Sequence, residues 1–229
     1  MNQGELDRAL AETAFEGTVE QLRALISLGA DVNTTHTDTS ALENAIDAHN
    51  LENVRHLVNA GANINQANGY DGSTPLIVAA HRGQTDIAEF LLNNGAEIEA
   101  TDGGWHTALA GAAASGHLKM VVLLINRGAD VNGKHIHQDS PLHRASYSGH
   151  FEVAKFLLAK GASVEGGQSG ITPLHCAASG GHIALAALLL DNRAGLNTRD
   201  YFGRTPLAMA REQSQALIAE YLHKRGAVE

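Results

Sequence analysis

The chain holds one cysteine, Cys176, in the stretch GITPLHCAASGGH (170–182), with His175 beside it and His182 six residues on. A thiol next to imidazole is the raw material of a cysteine nucleophile, in which a base takes the thiol proton and a third group orients the base. His135, His137 and Asp139 form a second constellation, and imidazole with carboxylate is a zinc-binding set. An exposed polar loop explains the same three residues without a metal. TDGGW (101–105) and EGGQSG (165–170) are glycine-rich, but neither keeps the spacing of GxGxxG or of a P-loop. They read as tight turns ahead of helix starts. The sequence has no paired carboxylates, HExxH or GxSxG, and it points to no catalytic site, cofactor or metal site.

Any such residues need elements to position them, and 229 residues suffice for one large domain or two small ones. Apolar residues make up 44% and charged residues 18%, a globular balance. Aromatics are only 4% while glycine numbers 24, so a core must be built from Ala, Leu, Ile and Val. A single cysteine excludes an internal disulfide and a Cys-rich zinc site. The first residues, MNQGELDRALAETAFEGTVEQL, are acidic and polar, unlike a secretory signal, and no run has the apolar length of a membrane span. A cytoplasmic protein without membrane contact is expected.

Charge narrows the partners. A net of −9 speaks against nucleic acid. Residues 1–114 carry 16 acids against 4 bases, and residues 115–229 carry 9 acids against 12 bases. The acidic half should draw a partner with a basic surface.

A repeat organises the chain. Gly-Ala recurs at Gly29, Gly61, Gly95, Gly128, Gly161 and Gly226, in steps of 32 to 34 residues, with Arg193-Ala194 filling the one missing slot. Leu42, Leu76, Leu109, Leu142, Leu174 and Leu207 keep the same period. Thr before Pro is a helix N-cap followed by the one helical position that needs no N–H. Alanines then allow close packing, and Gly83, Gly116, Gly149 and Gly181 end the short helix. A second helix follows with apolar residues at i, i+3 and i+4, such as Val153, Phe156 and Leu157, or Ile87, Phe90 and Leu91. DVN-type segments and a Gly/Asp-rich turn close each repeat as a short hairpin-like finger. One such repeat cannot bury its own apolar face, so neighbours must stack.

The TPLH element, the Gly-His after the first helix and the LLxxGAxVN ending together resemble the ankyrin repeat family, from about residue 5 to 227. The resemblance implies an all-α solenoid of helix-turn-helix repeats joined by short β-hairpin-like fingers. One domain over 1–229 is expected, with repeats at about 5–34 (a cap), 35–66, 67–100, 101–133, 134–166, 167–199 and 200–229 (a cap). The departures are local: SALEN replaces TPLHx in the second repeat, and His49-Asn50 and Ser214-Gln215 replace Gly-His. Trp105, Gln138 and Arg193 stand where the family has glycine, at a mild cost on the order of 1 kcal/mol.

The resemblance also reassigns the opening residues. His175 has a counterpart in His143, and His182 in His117 and His150, so family architecture accounts for them by bracing the turns between repeats. Cys176 falls at a slot held elsewhere by Asn44, Val78, Gly111, Arg144 and Met209. A non-enzymatic scaffold for protein–protein interaction is expected, acting as a monomer in the role of an inhibitor, an immunity-like protein or an adaptor. A thiol-dependent enzyme or redox sensor built on Cys176 with its neighbouring histidines is the alternative. The family's two binding surfaces, finger tips and the concave ends of the first helices, map here onto Tyr70, Asp71, His81, Arg82, Trp105, His106, His137, Asp139, Tyr147, Tyr201, Phe202 and Arg204. Aromatics and arginine dominate interface hot spots. A groove through Tyr70, Arg82, Trp105, His106 and Tyr147 is expected, although Trp105 and Phe202 could instead pack between fingers.

Overall fold

The computed structural model describes residues 1–36, 39–69, 71–133, 140–166 and 169–229. Among them are fourteen helices and one two-stranded hairpin. The architecture is all-α, built from helix pairs, and divides into two compact units, Met1–Ala108 and Leu109–Glu229.

The N-terminal unit contains α1 (Gln3–Glu16) and α2 (Val19–Ser27), α3 (Ala41–Asp47) and α4 (Leu51–Asn59), and α5 (Pro75–His81) and α6 (Thr85–Asn93). First helices stack on first helices, α1 on α3 and α3 on α5; second helices do likewise, α2 on α4 and α4 on α6. Strands β1 (Thr35–His36) and β2 (Thr39–Ser40) pair antiparallel, while later fingers keep single bridges, Asn68 with Ser73 and Thr101 with Thr107. The C-terminal unit holds α7 (Ala108–Ala114) from its second residue on, α8 (Leu118–Asn126), α9 (Pro141–Ser148), α10 (Phe151–Ala159), α11 (Pro173–Gly180), α12 (Ile183–Asp191), α13 (Pro206–Glu212) and α14 (Ala216–Lys224). There α9 packs on α11 and α11 on α13, with α8, α10, α12 and α14 in file behind them.

Local sequence explains these elements. All four prolines, Pro75, Pro141, Pro173 and Pro206, occupy the opening turn of a helix. Ser140, Thr172 and Thr205 accept the N–H three residues on, as caps should. The second repeat, which lacks the proline, still starts its helix on Ser40, whose Oγ accepts the Glu43 N–H at 3.2 Å. Completely buried leucines and alanines fill each stack, among them Leu10, Leu42, Ala45, Leu57, Ala79 and Leu91 in one unit and Ala112, Leu124, Leu142, Leu157 and Leu174 in the other. Phe90 and Phe156 only half-enter the core; their faces lie under Arg55 at 4.8 Å and Lys160 at 5.4 Å.

Side chains lock one repeat to the next. The asparagine that ends the DVN-type segments accepts a backbone N–H from the following repeat: Asn33 from Asn63 at 2.7 Å, Asn65 from Glu97 at 2.9 Å and Asn132 from Ser163 at 2.8 Å. The same amides donate back, Asn33 to Gly61 O and Asn65 to Gly95 O, both at 3.2 Å. Among the described residues four non-glycine residues, His49, Trp105, Arg193 and Ser214, take left-handed backbone in place of glycine, and Gln138 lies outside the described residues. Glycine has a second use before histidine. A Cβ on Gly149 would lie 2.5 Å from the His182 ring, and one on Gly116 would lie 2.5 Å from the His150 ring.

Candidate protein-binding surfaces

The histidines around the cysteine are fully engaged in holding repeats together. His175 is wholly buried. Its Nδ1 accepts from the Thr172 N–H at 3.1 Å, so Nε2 carries the proton and donates to Arg204 O of the next repeat at 3.0 Å. Burial holds its pKa below the ordinary histidine value, which keeps the ring neutral. His143 repeats the bridge, from Ser140 Oγ at 2.7 Å to Ile171 O at 2.9 Å. His182 Nε2 donates to Tyr147 O at 3.0 Å and His150 Nε2 to Ala114 O at 2.9 Å. With both nitrogens of His175 committed, its lone pair cannot serve as base for the Cys176 thiol. Cys176 is itself buried. The His135, His137 and Asp139 constellation lies outside the described residues; among the described residues no three His, Cys, Asp or Glu side chains gather to hold a metal.

In the C-terminal unit, the ends of α7 and α9 enclose an open cavity of about 500 Å³ lined by Ala114, Arg144, Tyr147 and Ser148. Tyr147 is 61% exposed, standing over this hollow, while its carbonyl is pinned by His182. Arg144 is half-buried, and its Nε is enclosed without a hydrogen-bond partner. An aromatic wall, a guanidinium and a hydroxyl around one hollow can hold a side chain or a short peptide segment. Arg144 escaped the sequence reading because its slot also carries Cys176 and looked merely variable. The alanine at position 114, which leaves the hollow unfilled, was the available signal.

In the N-terminal unit, His81 and Arg82 are both exposed at the end of α5. Arg82 Nη2 reaches Asp47 Oδ1 of α3 at 2.8 Å. Asp71, also exposed, accepts the Ser73 N–H at 3.1 Å, and Glu43 of α3 lies close to it beneath the finger. Desolvation, then the charges of Asp47 and Asp71, push the Glu43 carboxyl up to about 7. Sequence reasoning passed over Glu43, although it occupies the histidine slot of TPLH and so announced a change of chemistry.

Two fingers carry the remaining positions. Trp105 is 59% exposed. His106 is half-buried and tied to Asp102, through its N–H at 2.8 Å and its ring Nδ1 at 3.0 Å. In the last finger Tyr201 and Phe202 stand out at 83% and 77% exposure, their rings edge to face with centroids 6.0 Å apart. Arg204 lies 5.1 Å over the Phe202 ring and is anchored by Asp200 at 2.7 Å. Buried Asp200 holds that guanidinium in place, and the Arg204 backbone carbonyl accepts from His175 Nε2. Tyr70, His137 and Asp139 fall outside the described residues. Within the N-terminal unit, therefore, Asp71 and Arg82 are brought beside Glu43 and Asp47, while Tyr147 meets Arg144 in the other unit.

Comparisons with known proteins agree with the repeat pattern. A family profile described as "Ankyrin repeats (3 copies)" matches residues 10–102, 102–167 and 163–228. The chain is 35% identical over 95 residues to "Ankyrin repeat and KH domain-containing protein mask-1" of Caenorhabditis elegans, covering 42% of this chain and 4% of that protein. It is 34% identical over 93 residues to "BRCA1-associated RING domain protein 1" of the same organism, covering 41% and 13%. To human "Protein phosphatase 1 regulatory subunit 27" it is 37% identical over 89 residues, covering 38% and 57%. The matched stretch thus spans only part of each relative's length.

Proposed function

Because the chain belongs to the ankyrin repeat family, we propose that it is a non-catalytic scaffold that captures a partner protein, in an inhibitor, immunity-like or adaptor role. The carrying observation is the hollow of about 500 Å³ at Tyr147 and Arg144, on the first-helix ends where such repeats bind. Exposed Tyr147, Tyr201 and Phe202 supply the aromatic anchors that interfaces favour. One of the similar proteins bears the name of a phosphatase regulatory subunit, which accords with action through a partner. The buried thiol and the committed ring of His175 favour this reading over a thiol enzyme. Among the described residues no helix is long and apolar enough to cross a membrane. We read residues 1–229 as one seven-repeat domain, monomeric and cytoplasmic, with a partner whose basic face meets the acidic first repeats.

Immobilised protein, offered lysate of its own source, tests this. A stoichiometric protein retained by the native chain and lost with Tyr147→Ala or Arg144→Ala is the expected result. Retention by all three chains alike would refute the placement of the site. A column that stays empty with folded protein would sink the scaffold reading. Rapid modification of Cys176 by a thiol reagent at neutral pH would revive the thiol alternative; slow modification is expected.

A further inference from the structure

Glu43 stands where the fifth and sixth repeats place His143 and His175. Those rings take up a proton donor from their own helix cap and give one to the following finger. An ionised carboxylate has no proton to give, so it cannot make that bridge. Glu43 is nonetheless only 9% exposed, and its Oε2 is enclosed without a hydrogen-bond partner. Its Oε1 faces the next finger: a Cβ built on Gly69 would sit 3.7 Å from Glu43 Oε1 and 3.6 Å from Asp71 Oδ1. Asp47 lies one turn along α3, and the cation acting on the group, Arg82, is already drawn to Asp47 at 2.8 Å. Glu43 and Asp47 thus share one guanidinium, and Asp71 adds a third carboxylate beside Glu43.

We propose that Glu43 and Asp71, with Asp47 behind them, form a receptor for one basic side chain, a lysine ammonium or arginine guanidinium, of the partner protein. This rests on the scaffold reading above and names the chemistry of its acidic end. A buried carboxylate charge is costly, and a cation with N–H donors beside Oε1 offsets that charge. No three carboxylate or imidazole groups among the described residues converge at metal-binding distance, so a long side chain fits where a bare divalent ion does not. Glu43 also feels Asp47 and Asp71, which hold its proton on, and Arg82 and the Ser40 contact, which favour its loss. A bound cation tips that balance toward the ionised form, so binding expels a proton.

The test is calorimetric titration with a blocked six-residue peptide of alternating arginine and glycine, at pH 7 in two buffers of different ionisation heat. The native chain should bind it and release about half a proton, since Glu43 is half-protonated near 7. Glu43→Gln, which keeps the shape, should weaken binding about tenfold and abolish the release. Glu97→Gln removes one exposed charge from the same unit and should change affinity less than about twofold. No binding, equal binding by Glu43→Gln, or undiminished release would overturn the receptor. So would proton release driven by calcium chloride in place of the peptide. Tyr147→Ala and Arg144→Ala should leave this titration unchanged, which separates its failure from failure of the scaffold reading.

Discussion

His175 spans two repeats with a single ring, and nothing of similar size can replace both of its hydrogen bonds. Removing it leaves the Thr172 N–H and Arg204 O without their partner in a dry site. His175→Ala is therefore expected to cost roughly 2–3 kcal/mol, read as a fall in the urea midpoint, with no change in thiol chemistry. Glu43 gives a pH signature of definite sign. Its folded pKa, about 7, lies above the ordinary 4.5, so the folded chain binds this proton more tightly than the unfolded chain. The associated stability is complete below about 4.5 and is lost as pH rises through 7, by roughly 2–3 kcal/mol. Glu43→Gln should flatten that decline between pH 5 and 8 in denaturant titrations. His175 acts in the opposite sense: its pKa is lowered, so its stabilisation is lost as pH falls below 6.5.

The short helices depend on what happens at their ends. Gly161 and Gly149 both take left-handed backbone, at φ of 89° and 81°. The space around Gly161 is open, so alanine there meets only the backbone penalty, about 1 kcal/mol. Alanine at Gly149 would in addition press on the His182 ring that braces the turn. Gly149→Ala should thus destabilise at least about 1 kcal/mol more than Gly161→Ala, and denaturation midpoints of the two variants check this. Arg193 presents the reverse case, a side chain at φ 68°. Arg193→Gly is expected to stabilise by about 1 kcal/mol, seen as a rise in Tm.

Across the molecule the charges are sorted along the chain, acids outnumbering bases 16 to 4 in residues 1–114 and bases outnumbering acids 12 to 9 thereafter. Such an imbalance raises the encounter rate with a basic partner far more than it deepens the bound state. Association measured by surface plasmon resonance should slow as ionic strength rises to 0.15 M, while dissociation changes little. Rates indifferent to salt would remove the basic partner from consideration. Repetition has a further consequence at this scale. Each asparagine or histidine bridge joins only adjacent repeats, so stability is spread along each stack rather than vested in one centre.

Sequence alone determined the repeat, its period and the all-α class, because those follow from local rules: a cap before proline, alanines at close contact, glycine where φ turns positive. Trp105 and Arg193 could be marked as left-handed residues from their slots alone. The histidines could be removed from a catalytic reading once each had counterparts one period away. Tertiary structure decided everything that depends on the neighbouring repeat. Gly116 and Gly149, each before a histidine, serve the histidine ring of the following repeat as well as their own φ, a relation across 33 or 34 residues that no local rule contains. Arg144 became a site residue only when Ala114, 30 positions earlier, left a hollow beside it. Glu43 looked like a weak version of the usual helix start. Burial, and the approach of Asp47 and Asp71, push its carboxyl up to about 7, because solvation and proximity are properties of the folded surroundings and not of residue type.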